Sequence, residues 1–83
     1  MIFISSLAGK PLSRLQPGSR GRIAQVNATG GLRRRILEMG VVPGAEIAVD
    51  GVAPLGDPIA VTVKGYHLTL RKNEAEAIFV EVR

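Results

Sequence analysis

Leu32-Arg33-Arg34-Arg35-Ile36-Leu37-Glu38-Met39-Gly40-Val41-Val42-Pro43-Gly44 is the stretch on which the reading of this chain turns. Leu32, Ile36 and Met39 stand at i, i+4 and i+7 with Leu37 beside them, so a short helix carries one apolar stripe while its arginines and Glu38 face outward. Gly40 falls at the C′ position, where glycine takes the left-handed conformation without a Cβ penalty. Val42-Pro43-Gly44-Ala45 then places proline and glycine in the two central positions that a type II turn favours. The stretch reads as a short amphipathic helix, a stop, and a turn that launches a strand.

On either side, alternation supplies strands. Ala45, Ile47 and Val49 alternate with Glu46, Ala48 and Asp50; Ile59, Val61 and Val63 with Ala60, Thr62 and Lys64. Tyr66, Leu68 and Leu70 form a third inward set, and Ile78, Val80 and Val82 a fourth, with Phe79 on the opposite face. Residues 20–26 form a weaker strand, because Ile23 and Val26 break the alternation and call for a bulge or a strong bend. Lys64-Gly65 reads as a tight hairpin turn, Asn73 to Glu76 as a capping box on one helical turn, and residues 11–15 as another single turn. Five short strands are too few for a sandwich, and closing them on themselves removes the edges that invite aggregation. The prediction is an all-β fold with a short helix, a small SH3-like barrel of about five strands. Leu37, Ile47, Val61, Leu70 and Ile78 are its expected core.

Eighty-three residues make a single domain, 1–83, that buries about 60–65% of its unfolded surface. With no cysteine, neither disulfides nor thiolate metal sites can staple it, so an apolar core must. No segment approaches the ~20 apolar residues of a membrane-spanning helix. Met1-Ile2-Phe3-Ile4 lacks the flanks of a secretory signal, so a cytoplasmic protein is expected. The same apolar segment is a candidate for weak self-association by strand pairing. Residues 1–42 carry seven bases against Glu38 alone, a net +6, whereas residues 43–83 carry a net −2. Such polarity suits an acidic partner, an anionic surface or nucleic acid.

Several motifs now fall into one order. The Arg34-Arg35-Ile36-Leu37-Glu38-Met39-Gly40 run and Val41-Val42-Pro43-Gly44 are followed by Ala53-Pro54-Leu55-Gly56-Asp57-Pro58, Val63-Lys64-Gly65-Tyr66, Leu68-Thr69-Leu70-Arg71 and a closing Glu74-Ala75…Ile78…Val80. Leu12-Ser13-Arg14-Leu15-Gln16-Pro17-Gly18 opens the series. In this order and spacing they resemble FeoA, the small ferrous iron transport protein A, over about residues 12–82, with 1–11 an extension outside the resemblance. The resemblance implies an SH3-like barrel, no enzymatic activity of its own, and a partner: FeoB, a membrane ferrous iron transporter with a cytoplasmic GTP-binding domain. It implies a role in iron transport through protein–protein interaction, peripheral to the membrane by way of that partner. Two other readings stand beside it, a module like that at the C-terminus of iron-dependent repressors and a basic nucleic-acid-binding barrel.

Chemistry has little to work with. His67, the one histidine, alternates outward, and no serine or acid stands in a triad context. No G-x-x-x-x-G-K-[ST] loop is present, so the chain is not itself a GTPase. His67, Asp57, Glu74 and Glu76 lack metal-ligand spacing, so no tight iron or zinc site and no cofactor is expected. Nucleic acid is disfavoured as well, since Phe3, Tyr66 and Phe79 are the only rings on which a base could stack. Binding is left to loop 53–58, where Pro54, Pro58 and Gly56 stiffen the backbone and Leu55 presents an apolar tip. Arg34, Arg35, Pro54, Leu55, Asp57 and Pro58 are the candidate partner-binding residues.

Overall fold

β-branched and leucine side chains at every second position meet across strands to form the interior. The computed structural model describes residues 9–83, in the order β1 (Lys10–Pro11), a 3-10 turn (Leu12–Arg14), β2 (Arg20–Val26), α1 (Gly30–Glu38), β3 (Glu46–Val52), β4 (Ile59–Val63), β5 (Tyr66–Leu70), α2 (Lys72–Glu76) and β6 (Ile78–Val82). The strands form one antiparallel sheet in the order β1-β6-β2-β3-β4-β5. Ile47 faces Val63, Val49 faces Val61, Ile59 faces Leu70 and Ile23 faces Val80, and all of these are buried. Each pair removes two branched side chains from water on the same side of the sheet, which therefore coils around them. The strand added to the expected five is Lys10–Pro11, too short for alternation to reveal, with its proline on an edge strand as the missing N–H requires. The strand expected at Ile2, Phe3 and Ile4 lies outside the described residues.

Two bulges shape the sheet. One lies in β2 between Ile23 and Gln25, where the sequence called for it. The other lies in β3 between Val49 and Gly51, leaving Asp50 as the extra residue. Gly21 lets β2 approach β6 closely, because a Cβ there would collide with the Glu81 carbonyl oxygen. Lys64 and Gly65 both have positive φ, 54° and 84°, the signature of a two-residue type I′ hairpin.

Helix α1 begins two residues before Leu32 and ends as its sequence requires. Gly40, at φ 90°, donates to the Leu37 carbonyl at 3.0 Å, and Val41 donates to the Ile36 carbonyl at 3.3 Å. This is the Schellman pair, and the apolar contact that accompanies it is Val41 with Ile36, both fully buried. The type II turn follows, with Ala45 N–H donating to Val42 O at 3.1 Å and Gly44 at φ 93°.

Three expectations need correction. Leu37 is only half-buried, and Ile36 is the fully buried residue of α1; on so narrow a stripe one position points inward and its neighbour, 100° around the helix, packs at the rim. Tyr66 and Val82, placed among the inward residues, are 72% and 44% exposed, because each stands at the end of its strand, Tyr66 at the start of β5 and Val82 at the close of β6. The capping box lies two residues earlier than Asn73: α2 is capped at Arg71, whose N–H donates to Glu74 Oε1 at 2.8 Å. Glu74 is buried there, so burial and not the usual preference for a cap residue sets the frame.

Candidate docking surface

Loop 53–58 is folded on itself before it meets anything. Gly56 N–H donates to Ala53 O at 2.7 Å, and Ala53 N–H donates to Pro58 O at 3.1 Å. Gly56 has φ 83° and the Asp57–Pro58 peptide is cis. Leu55 is carried at the tip, 92% exposed, with Pro54, Asp57 and Pro58 also exposed around it. An apolar side chain on a backbone already fixed by two hydrogen bonds and two proline rings loses little entropy on docking.

The short helix α2 ties this loop to α1. Asp57 Oδ1 accepts the Lys72 N–H at 3.2 Å, which places a carboxylate on the first turn of α2. Two residues on, Glu74 accepts the Arg71 N–H with one oxygen and the Arg35 Nε with the other, at 2.9 Å. The Glu74 side chain is 5% exposed, whereas Arg35 is 69% exposed. Of the six candidate residues, the structure therefore joins Asp57 and Arg35 through α2 and gathers Pro54, Leu55 and Pro58 on one loop.

Arg34 is exposed and has no ion pair among the described residues. Arg33 is used internally, donating to the Val26 carbonyl at 3.1 Å. Glu74 is named in the sequence only within the capping box and among the acids without ligand spacing, and its burial against Arg35 is what the sequence did not reveal. Its partner Arg35 is 39 positions away and nothing local marks the pair, although a glutamate next to Ala75 and Ala77 in a short helix is a weak hint of burial.

No helix among the described residues is long and apolar enough to cross a membrane, and no three His, Cys, Asp or Glu side chains among them come together as a metal cluster. On the outer face of the sheet His67 is exposed, as expected, yet its Nδ1 lies 3.0 Å from Thr62 Oγ1 and 3.5 Å from Asp50 Oδ2. Phe79 is half-buried and paired with Pro11 and Gln25, so it offers no open stacking platform.

A family model described as FeoA domain matches residues 10–82. The Fe(2+) transport protein A/Fe(2+) transporter FeoB fusion protein of Porphyromonas gingivalis is 42% identical over 71 residues, covering 86% of this chain. The chain spans 8% of the length of that fusion. Among solved structures, a FeoA-like protein from Clostridium acetobutylicum superposes with a TM-score of 0.83 at 43% identity, over 90% of this chain and 87% of that one. The Stenotrophomonas maltophilia FeoA, solved in complex with zinc and described as a procaryotic SH3 domain protein, superposes with a TM-score of 0.73 at 30% identity, over 84% and 87%.

Proposed function

Because the chain belongs to the FeoA family, we propose that it serves ferrous iron uptake as an accessory domain that binds a FeoB-type transporter in the cytoplasm and modulates its assembly, gating or GTP turnover. The observation that carries this reading is the fusion. In the Porphyromonas gingivalis protein the A component and the FeoB transporter are one polypeptide, so the relative of this domain is held beside the transporter at high effective concentration. To act on a transporter held beside it, such a domain needs a docking surface.

Loop 53–58, α2 and the exposed side of α1 supply one. Leu55 is the apolar anchor, and Pro54 and Pro58 hold it out. Arg34, without an ion pair among the described residues, supplies a positive charge that steers an acidic partner. Arg35 and Asp57 act mainly inside the domain, fixing α1 and the loop to α2.

The test is co-purification of a FeoB-type transporter from membranes with tagged domain variants. Leu55→Asp places a charge at the apolar contact, where desolvation without a partner is unfavourable, and should abolish recovery of the transporter. Arg34→Glu should slow association, most strongly at low salt. Lys64→Glu, in the hairpin turn, is the control and should be silent. Full recovery with folded Leu55→Asp and Arg34→Glu variants would place the docking surface elsewhere; capture of RNA or DNA that is lost in Arg34→Glu would favour the nucleic-acid reading.

A further inference from the structure

We propose that the outer face of the sheet carries a second binding groove, which takes an acidic, extended segment of a protein through Arg20 and Lys64. A row of cross-strand partners builds its floor: Arg20 on β2 faces Ala48 on β3, and Ala48 faces Thr62 on β4. Ala48 and Thr62 are short and half-buried, so they leave a trough between the longer side chains around them. The loop before β2 closes one end, where Val49 N–H donates to Ser19 O at 2.9 Å, and Glu46 with Lys64 stands at the other. The trough holds about 690 Å³, within the range of pockets that take a ligand.

The charges in the groove are not balanced. Its lining bases are Arg20, Lys64 and Arg83, and its one acid is Glu46. Arg83 reaches across β2 and donates to Glu46 Oε2 at 2.9 Å, and Arg22 lies 4.0 Å from the same oxygen. The Glu46 charge is therefore already shared by two guanidinium groups. Arg20 and Lys64 have no ion pair among the described residues. Their field falls into a concavity, where it draws an anion more strongly than it would over an open surface.

The spacing of these two bases selects the ligand. β3 lies between β2, which carries Arg20, and β4, which Lys64 follows, so the two stand roughly 10 Å apart, two strand spacings. One phosphate does not span that distance, whereas about three residues of extended chain do. The loop also offers no phosphate cradle: Gly18 N–H is donated to Val49 O at 2.8 Å and Ser19 N–H to Gln16 O at 3.0 Å. No aromatic ring among the described residues lines the groove for a base to stack on, and a flat lipid surface does not enter a concavity. Pro17 and the exposed Val82 supply apolar contact for the residues between the two acids. The occupant is thus a peptide segment with two carboxylates about three positions apart. It crosses the strands, so side chains hold it and it does not extend the sheet. None of the residues of loop 53–58 or α1 lines the groove, and the inference stands apart from the transporter reading.

The experiment is a titration of the full chain with a synthetic peptide in which two glutamates stand three positions apart among alanine, serine and leucine. Binding should saturate below millimolar peptide and weaken as salt is raised, and the amide resonances of Ser19, Ala48, Thr62 and Val82 should move first. Arg20→Glu and Lys64→Glu should each weaken binding about tenfold or more, with amide spectra unchanged away from the substitution. Lys64, on a turn, carries this test alone if Arg20→Glu perturbs the sheet. A peptide with lysines in place of the glutamates should bind the double variant Arg20→Glu with Lys64→Glu and not the parent, an exchange that a merely structural role would not produce. Leu55→Asp should bind the acidic peptide as the parent does, while Lys64→Glu, silent in transporter recovery, is disabling here, so the two surfaces fail separately. Binding unaltered by either charge reversal, no binding at millimolar peptide, or shifts centred outside the groove overturns the assignment. An equal response to inorganic phosphate, to anionic vesicles or to a single-stranded oligonucleotide also overturns it.

Discussion

Glu74 does the work of two residues. One carboxylate oxygen starts α2 at Arg71 N–H, and the other holds α1 at Arg35. Removing it leaves both donors without that acceptor, and the half of the contact on the Arg35 side is screened by solvent. Glu74→Ala should therefore cost about 1–3 kcal/mol, read as a fall in the urea midpoint with little change in slope. Arg35→Glu sets a second carboxylate against a buried one and should be at least as damaging. A loss of binding in that variant accordingly needs a melting curve beside it before it is assigned to the interface. In the core, Leu70 is fully buried opposite Ile59, and Leu70→Ala should cost on the order of 2–5 kcal/mol by leaving a cavity. An unchanged melting temperature for that variant would contradict the register. At this scale the sequence was legible where a residue lies in a long alternating run, as Ile47, Val61, Leu70 and Ile78 do. It misled at Leu37, which sits 100° around a narrow helical stripe from the buried Ile36, and at Tyr66, whose burial depends on where its strand ends.

Among the elements, α1 and its exit were the most legible, because the signals are chemical as well as periodic. Gly40 must accept a φ of 90°, which a residue with a Cβ adopts at a cost of roughly 1–2 kcal/mol. Gly40→Ala should lower stability by about that much and raise amide exchange at Met39 to Val41, where the Schellman bonds close the helix. The hairpin at Lys64-Gly65 was legible for the same kind of reason. The bulge at Asp50 was not. Whether a strand carries an extra residue depends on the partner against which it is laid, and β3 reads as a regular strand when taken alone. With the bulge went the juxtaposition of Asp50, Thr62 and His67, which are 12 and 5 positions apart and share no motif.

For the molecule as a whole, the sheet order brings the first described strand against the last. Lys10 pairs with Val80 and Pro11 with Phe79 in antiparallel register. A residue at position 9 therefore stands beside the end of β6, and the chain enters and leaves the domain side by side. Joining residue 83 to residue 9 by a short glycine linker needs no rearrangement of the sheet. New ends cut between Leu55 and Gly56 fall on an exposed tip that carries no core side chain. Such a circular permutant should fold with its melting temperature within a few degrees of the parent, yet lose transporter co-purification with its severed loop. A domain whose two junctions leave from the same edge can also be spliced into a host chain as a removable cassette, with its opposite surfaces left undisturbed, and a lineage can fuse or separate it without redesigning the fold.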